Sequence, residues 1–373
     1  MIDVTVMADA TSSLADGSVT LVHIRWLRVV SRAGTPFNRR IDHPVHNQRT
    51  RERGNDAPRR HWPGGCIIVT MSATTPERRL TVSDITRMHA DGQRIPMLTA
   101  YDYPTAQIVD EAGIPMILVG DSLGEVMLGY ESTIRVTMEE MLHHTKAVVR
   151  GTKRSLIVGD MPFLTYATVD EALENAGRFM REAGTGAVKV EGGVRSARII
   201  ETLVRAGIPV MGHIGWTPQA KYGMGGKTRV QGKDRDQARS MLADALAVQE
   251  AGGFAIVLEL MPDQLAAAIT DRLRIPTIGI GAGVHCSGQV QVITDLLGLG
   301  SFIPRHARPY AHLRETIAQA ASAYAADVTS GEFPGAEQST RMDETVLADT
   351  LGEGSLDRPR AADMVSIPLD RDL

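Results

Sequence analysis

The sequence predicts an α/β fold, a (β/α)8 barrel. Three observations predict it. Seven short β-rich runs recur between residues 96 and 283, an amphipathic helical stretch follows each in turn, and the runs are apolar almost throughout. Strand signals that alternate with helix signals mean parallel βα units. Strands covered on both faces lose the in–out alternation of a half-wet sheet. Eight such units in about 260 residues match the usual size of a barrel. A doubly wound open sheet is the alternative, weakened because no nucleotide fingerprint follows the first run.

The elements follow in order. The first three strands are "PMLTAYD" (96–102), "PMILVGD" (115–121) and "SLIVGDM" (155–161). The next four are "GAVKVEG" (186–192), "IPVMGHIG" (208–215), "GFAIVLEL" (253–260) and "IPTIGIGAG" (275–283). The eighth signal is weak, and the best position for it is 300–304. Two helices open with capping boxes. Thr137 stands three before Glu140 and Thr168 three before Glu171, so each hydroxyl can accept from an orphan backbone N–H. Further helices are predicted over 195–206, 235–252 and 262–272, and the alanine-rich 311–327 closes the set. The polar, glycine-rich "YGMGGKTRVQGK" (222–233) lacks P-loop spacing and predicts a lid or substrate loop. "GIGAG" (279–283) fits either an anion site or close backbone packing.

The chain of 373 residues divides into three zones. Residues 1–70 hold no lysine and many arginines, and predict a disordered extension, with a natural-looking start at Met71. Residues 71–340 are the predicted barrel. Residues 341–373 are acidic and punctuated by proline, and predict a flexible tail. An apolar content of 43% supports a real core, and a net charge of −4 argues against nucleic acid as an obligate partner. Two cysteines, Cys66 and Cys286, form neither a disulfide framework nor a zinc spacing, which suits a reducing cytoplasm. No apolar run reaches the roughly 18–20 residues of a membrane span.

The charges at the strand ends carry the chemistry. Asp121 ends the second strand, Asp160 the third, Lys189 and Glu191 the fourth, His213 the fifth and Glu259 the sixth. A barrel builds its active site on that rim. Side chains alternate along a strand, so Lys189 and Glu191 share one face and Val188 and Val190 the other. Burying such charges without compensation would cost several kcal/mol. A divalent cation with an anionic substrate would compensate. An internal ion-pair network is the bland alternative, and four acids without four basic partners count against it. Oxygen-only ligands favour Mg²⁺. Such an ion chelates a 2-keto acid and stabilises the charge left when a proton leaves C3. Glu259, apart from the other acids at the end of "FAIVLEL", is the candidate base. His213 fits equally a satisfied core histidine.

These residues lie in stretches that together resemble one family. "MLTAYDY", "LVGDSLG", "GDMPF" with "TYAT", "AVKVEGG", "GHIGWTPQ", "VQGK", "IGIGAG" and "GEFPGAEQS" run, over about residues 75–340, in the order found in the ketopantoate hydroxymethyltransferase family. The extension and the tail have no counterpart in that pattern. The resemblance implies a barrel of the phosphoenolpyruvate/pyruvate-binding superfamily. It also implies Mg²⁺-dependent transfer of a one-carbon unit from 5,10-methylenetetrahydrofolate to 3-methyl-2-oxobutanoate, giving 2-dehydropantoate for pantothenate synthesis. Carried over, Asp121 and Asp160 resemble the metal ligands that also contact substrate, and Glu191 a further metal-site carboxylate acting through water. Ser122 resembles a substrate contact, Lys189 the cation that holds the keto acid, and Glu259 the proton acceptor. The partners implied are small molecules and further copies of the chain, commonly in a decamer. Two competing readings remain. A related Mg²⁺-dependent lyase or mutase should carry a cysteine at a strand end, and none is there. A catalytically dead scaffold would not need the full set of acids.

Overall fold

Eight parallel strands close on themselves around residues 95–291. In chain order they are β1 (Ile95–Thr99), β2 (Met116–Val119), β3 (Leu156–Asp160), β4 (Ala187–Glu191), β5 (Val210–Gly215), β6 (Ala255–Glu259), β7 (Thr277–Ile280) and β8 (Gly288–Gln291). Each pairs with the next, and β8 pairs with β1 to complete the barrel. The computed structural model describes residues 3–6, 27–30, 36–39 and 78–352.

Seven of the eight strands fall where the apolar runs predict them. Residues such as Ile117, Ile157, Val188, Val190, Ile256 and Leu258 are fully buried and join the large apolar cluster that includes the surrounding helices. Each such side chain contributes about 1.5–3 kcal/mol by leaving water. The helices are fixed at their starts. Thr137 accepts from Glu140 N–H ahead of Met138–Gly151, and Thr168 from Glu171 N–H ahead of Val169–Arg178, each with the reciprocal glutamate bond. Asp102, at the end of "TAYD", is used in the same way and accepts from Thr105 N–H at 2.8 Å ahead of Tyr103–Glu111. The helices predicted over 195–206, 235–252 and 262–272 are Ala197–Arg205, Arg235–Glu250 and Asp263–Thr270.

The eighth strand corrects the sequence expectation. It lies at Gly288–Gln291, not at 300–304, where no strand forms. No helix separates it from β7, so the βα rhythm breaks just where the barrel closes. Gly288 pairs with Ile95, and a Cβ there would stand 2.1 Å from the Ile95 carbonyl oxygen. Closure of the barrel demands the glycine, and the glycine erases the apolar signal.

The alanine-rich segment is helical as expected. It forms the long helix Leu313–Ser330, none of whose residues is buried, with Ile317, Tyr324 and Val328 exposed. In the expected tail, Glu344–Leu351 forms a short helix capped by Asp343, and residues beyond 352 lie outside the described ones. Before residue 78 the strands Asp3–Val6, Leu27–Val30 and Pro36–Arg39 pair antiparallel into a separate small sheet. The rest of the expected disordered extension lies outside the described residues. Among the described residues no helix is long and apolar enough to cross a membrane.

Candidate active site

Parallel register assembles the site. Asp160 of β3 is the partner of Lys189 in β4, Glu191 of β4 is the partner of His213 in β5, and Gly215 of β5 is the partner of Glu259 in β6. Asp121 follows β2 by two residues and is tied to β3, because its backbone N–H donates to Asp160 Oδ2 at 3.1 Å. Gly215 is required at its place: its φ is 97°, and a Cβ would stand 2.1 Å from the Glu259 carbonyl oxygen. The predicted residues Asp121, Ser122, Asp160, Lys189, Glu191, His213 and Glu259 all line one cavity of about 630 Å³. All but Ser122 and Glu259 are buried.

The charges form a chain. Lys189 Nζ lies 2.7 Å from Asp160 Oδ1 and 3.3 Å from His213 Nδ1. The same His213 Nδ1 is 3.4 Å from Glu191 Oε1, and Nε2 is 3.2 Å from Glu259 Oε2. Burial and Lys189 oppose a charge on His213, but the two glutamates win and push its pKa up to about 9. At neutral pH it is an imidazolium held between two carboxylates, not a passive core histidine. Glu259 is therefore not the solitary acid that the sequence suggests. Burial works against a charged Lys189 as well, and Asp160, Glu191 and Asp121 outweigh it, so the ammonium persists.

The acids differ among themselves. Burial, then Asp160, drive the Asp121 carboxyl well above its ordinary range, against the pull of Lys189. Burial also raises Asp160, in spite of Lys189 beside it. Burial works upward on Glu191 too, but His213 and Lys189 leave it below the usual range. At the strand ends four carboxyl groups thus face two basic ones, while Glu125, Asp295, Lys221, Arg229 and Arg305 line the same cavity further out. This is partly the ion-pair network that the sequence left open, with acids in the majority at its buried centre.

Among the described residues no three His, Cys, Asp or Glu side chains are gathered so as to hold a metal ion by themselves. A hard ion that takes two carboxylates and completes its shell with water and substrate oxygens asks for less. Asp121 and Asp160, oxygen-only and joined through the Asp121 N–H, have the donor chemistry for it. Asp160 Oδ1 and Glu191 Oε1 lie at ion-pair distance from Lys189 and His213 but accept no well-aligned hydrogen bond, as His213 Nε2 donates none, so both oxygens retain acceptor capacity.

Neutral groups complete the site, and of these sequence reasoning named only Ser122. Gln219 donates from Nε2 to Asp121 Oδ2 and to the Met161 carbonyl, both at 2.9 Å, and its backbone N–H donates to Glu191 Oε2 at 3.1 Å. Tyr166 donates to Gln219 Oε1 at 2.5 Å, and burial, then Glu191, Asp160 and Asp121, keep that phenol protonated. Ser122 Oγ pairs with the Tyr101 hydroxyl at 2.9 Å. The motif "GHIGWTPQ" contained Gln219, but an uncharged residue in a loop gave no signal of its own.

The expected substrate loop is exposed for most of its length and lines the cavity through Thr228, Arg229 and Val230. Its far end is fastened where Gln231 N–H donates to the Leu260 carbonyl at 2.8 Å. Leu260 has a φ of 45°, a left-handed conformation costing about 1–3 kcal/mol, as chains often bear beside functional groups. In "GIGAG", Gly281 and Gly283 have positive φ and leave room for Leu260, His306 and Asp263, which is close packing.

The family model for ketopantoate hydroxymethyltransferase matches residues 79–336. The 3-methyl-2-oxobutanoate hydroxymethyltransferase of Chloroflexus aurantiacus is 62% identical over 275 residues, covering 74% of this chain and 97% of that one. Its counterpart from Dehalococcoides mccartyi is 56% identical over 273 residues, covering 73% and 98%. Among solved structures, phosphonopyruvate hydrolase overlays with a TM-score of 0.47 at 11% identity, covering 72% of this chain and 94% of that one. A likeness that slight carries no chemistry across.

Proposed function

The chain belongs to the ketopantoate hydroxymethyltransferase family, and on that premise we propose that it transfers a hydroxymethyl group from 5,10-methylenetetrahydrofolate to 3-methyl-2-oxobutanoate. With water as the third reactant, the products are 2-dehydropantoate and tetrahydrofolate. The observation that carries the proposal is the cluster of three buried acids at neighbouring strand ends, Asp121, Asp160 and Glu191, with only Lys189 and His213 buried beside them as basic groups. Such a site has room for one divalent cation, and Mg²⁺ is the ion its oxygen donors favour.

Asp121 and Asp160 would hold that ion, and Glu191 would reach it through water. The ion would act as a Lewis acid on the keto acid, spreading the charge left when C3 loses its proton. Lys189, kept protonated and 2.7 Å from Asp160, is placed to share its charge with the keto-acid carboxylate. Ser122 offers a hydroxyl whose direction Tyr101 sets. Glu259 accepts the C3 proton. Its carboxylate is oriented by His213, which Glu191 anchors from the other side. Water frees the one-carbon unit from both folate nitrogens as formaldehyde, leaving tetrahydrofolate, and the carbon left at C3 adds to that carbonyl, whose oxygen takes up a proton to complete the hydroxymethyl group.

We also infer a cytoplasmic homo-oligomer. The helix Leu313–Ser330, which has no buried residue and carries Ile317, Tyr324 and Val328 on its surface, supports assembly. Light scattering of the purified chain tests that part. The reaction is tested by turnover of 3-methyl-2-oxobutanoate and methylenetetrahydrofolate with and without Mg²⁺. No turnover, or turnover indifferent to a chelator, would refute the corresponding half of the proposal.

A further inference from the structure

Gln219 lies where the chain leaves β5, in the short turn Pro218–Ala220, and is only 5% exposed. Its side chain and backbone are fully engaged by the site. Nε2 reaches a carboxylate and a carbonyl, Oε1 receives a phenol, and the backbone N–H reaches a second carboxylate. The amide cannot be turned over. Reversed, Oε1 would face Asp121 Oδ2 and the Met161 carbonyl with no proton between them. Asp121 Oδ2 and the Met161 carbonyl thus fix the amide's sense, Tyr166 anchors its oxygen, and the amide fixes Asp121.

The choice of a neutral donor matters. A lysine here would neutralise Asp121. An amide holds one carboxylate oxygen in place and leaves the charge and the other oxygen to a ligand. The same residue stands three before the substrate loop, whose far end is tied at Leu260. One residue therefore joins the approach to the loop to acids from two places, Asp121 just after β2 and Glu191 at the end of β4.

We infer that Gln219 is a positioning residue that sets the orientation of the Asp121 and Glu191 carboxylates and couples both to the approach to the loop. The inference rests on the proposed reaction for its kinetic consequence. It does not rest on it for its effect on ion binding.

Three variants test it: Gln219→Met, Gln219→Glu and Tyr166→Phe. Two readouts are taken beside the melting temperature. The first is Mn²⁺ affinity by electron paramagnetic resonance, with no substrate present. The second is the kcat and KM of C3 proton exchange in the keto acid at saturating Mg²⁺. Both Gln219 variants lose the Nε2 donors, so each lowers Mn²⁺ affinity and exchange kcat by roughly 10–100-fold, as partners of metal ligands do. The KM for the keto acid moves much less. Tyr166→Phe leaves the donors and removes only the bond that anchors the amide oxygen, so it lowers the same two quantities by about 2- to 10-fold, the worth of one neutral hydrogen bond.

A folded Gln219→Met chain with wild-type ion affinity and wild-type kcat overturns the inference. If neither Gln219 variant folds, Tyr166→Phe decides, and unchanged ion affinity and kcat there overturn it. A wild-type chain that binds Mn²⁺ but exchanges no proton refutes the proposed reaction, and the Gln219 assignment is then judged by ion affinity alone. A wild-type chain that exchanges the proton without binding Mn²⁺ refutes the metal assignment, and kcat judges Gln219.

Discussion

Glu259→Gln isolates the proton acceptor. The amide keeps the side chain's shape and an oxygen able to accept from His213 Nε2, which stands 3.2 Å from Oε2. It removes the basic lone pairs. His213 retains Glu191 at 3.4 Å and Lys189 at 3.3 Å, so the charge chain keeps its other members. Exchanging a charged acceptor for a neutral one on a half-buried side chain should cost about 1 kcal/mol, a fall of roughly 2–4 °C in Tm. The kinetic loss should be far larger. A positioned base is worth about 10²–10⁴-fold, or roughly 2.7–5.4 kcal/mol at the barrier. With Asp121, Ser122, Asp160 and Lys189 untouched, KM for the keto acid should stay within about threefold, so the loss falls on kcat. Nuclear magnetic resonance in D₂O with Mg²⁺ and no folate follows the C3 proton directly and separates its removal from carbon transfer. Wild-type exchange by the folded variant would refute the assignment and move the base elsewhere in the cavity.

Three further outcomes follow from the geometry. Asp160→Ala should abolish Mg²⁺ and keto-acid binding together, whereas Lys189→Ala should weaken the keto acid by at least about 30-fold without weakening the ion, since Lys189 now competes with it for Asp160; calorimetry that finds tight, metal-independent keto-acid binding to Asp160→Ala would sink the chelate. Asp110 accepts from Lys153 N–H, Ser155 N–H and Ser155 Oγ at 2.8, 2.7 and 2.6 Å, and these bonds, together with Arg154 N–H, prevail over burial and hold its pKa low. Asp110→Asn should therefore cost about 2–4 kcal/mol at pH 7, and the gap in Tm should close as pH falls below the unfolded value near ~3.9 and through the lower folded one; a gap unchanged from pH 7 to pH 3 would contradict the sign. Gly215→Ala combines a φ of 97° with a Cβ 2.1 Å from the Glu259 carbonyl, and should destabilise by about 2–6 kcal/mol; a melting curve matching wild type would show that the β5–β6 contact is looser than described.

The legible part of the fold is the part made of bulk apolar burial. Strands β2 to β7 are buried almost throughout, so each needs a continuous apolar run, and the run is visible one residue at a time; β1 buries one face, with Pro96 exposed. Gly288–Gln291 carries no such run. Its place is fixed by pairing with Ile95–Leu98, almost two hundred residues earlier, and by a carbonyl that leaves no room for a Cβ. The helix Leu313–Ser330 was legible as a helix, because alanine favours one in any setting. Its lack of any buried residue was not, since burial depends on what stands opposite.

The same division runs through the site. Sequence by itself determined which charges reach the rim, because alternation along a strand is local: Lys189 and Glu191 had to share a face, and Asp121, Asp160, His213 and Glu259 had to fall at strand ends. Only the tertiary structure decided how they pair. Register between neighbouring strands sets Lys189 against Asp160 and Glu191 against His213, and it is the second glutamate, Glu259 from the next strand, that helps make His213 an imidazolium. Gln219 and Asp121 are 98 residues apart in the chain. A neutral amide becomes a functional group only when folding brings an acid to it, and no pattern within either segment records that meeting.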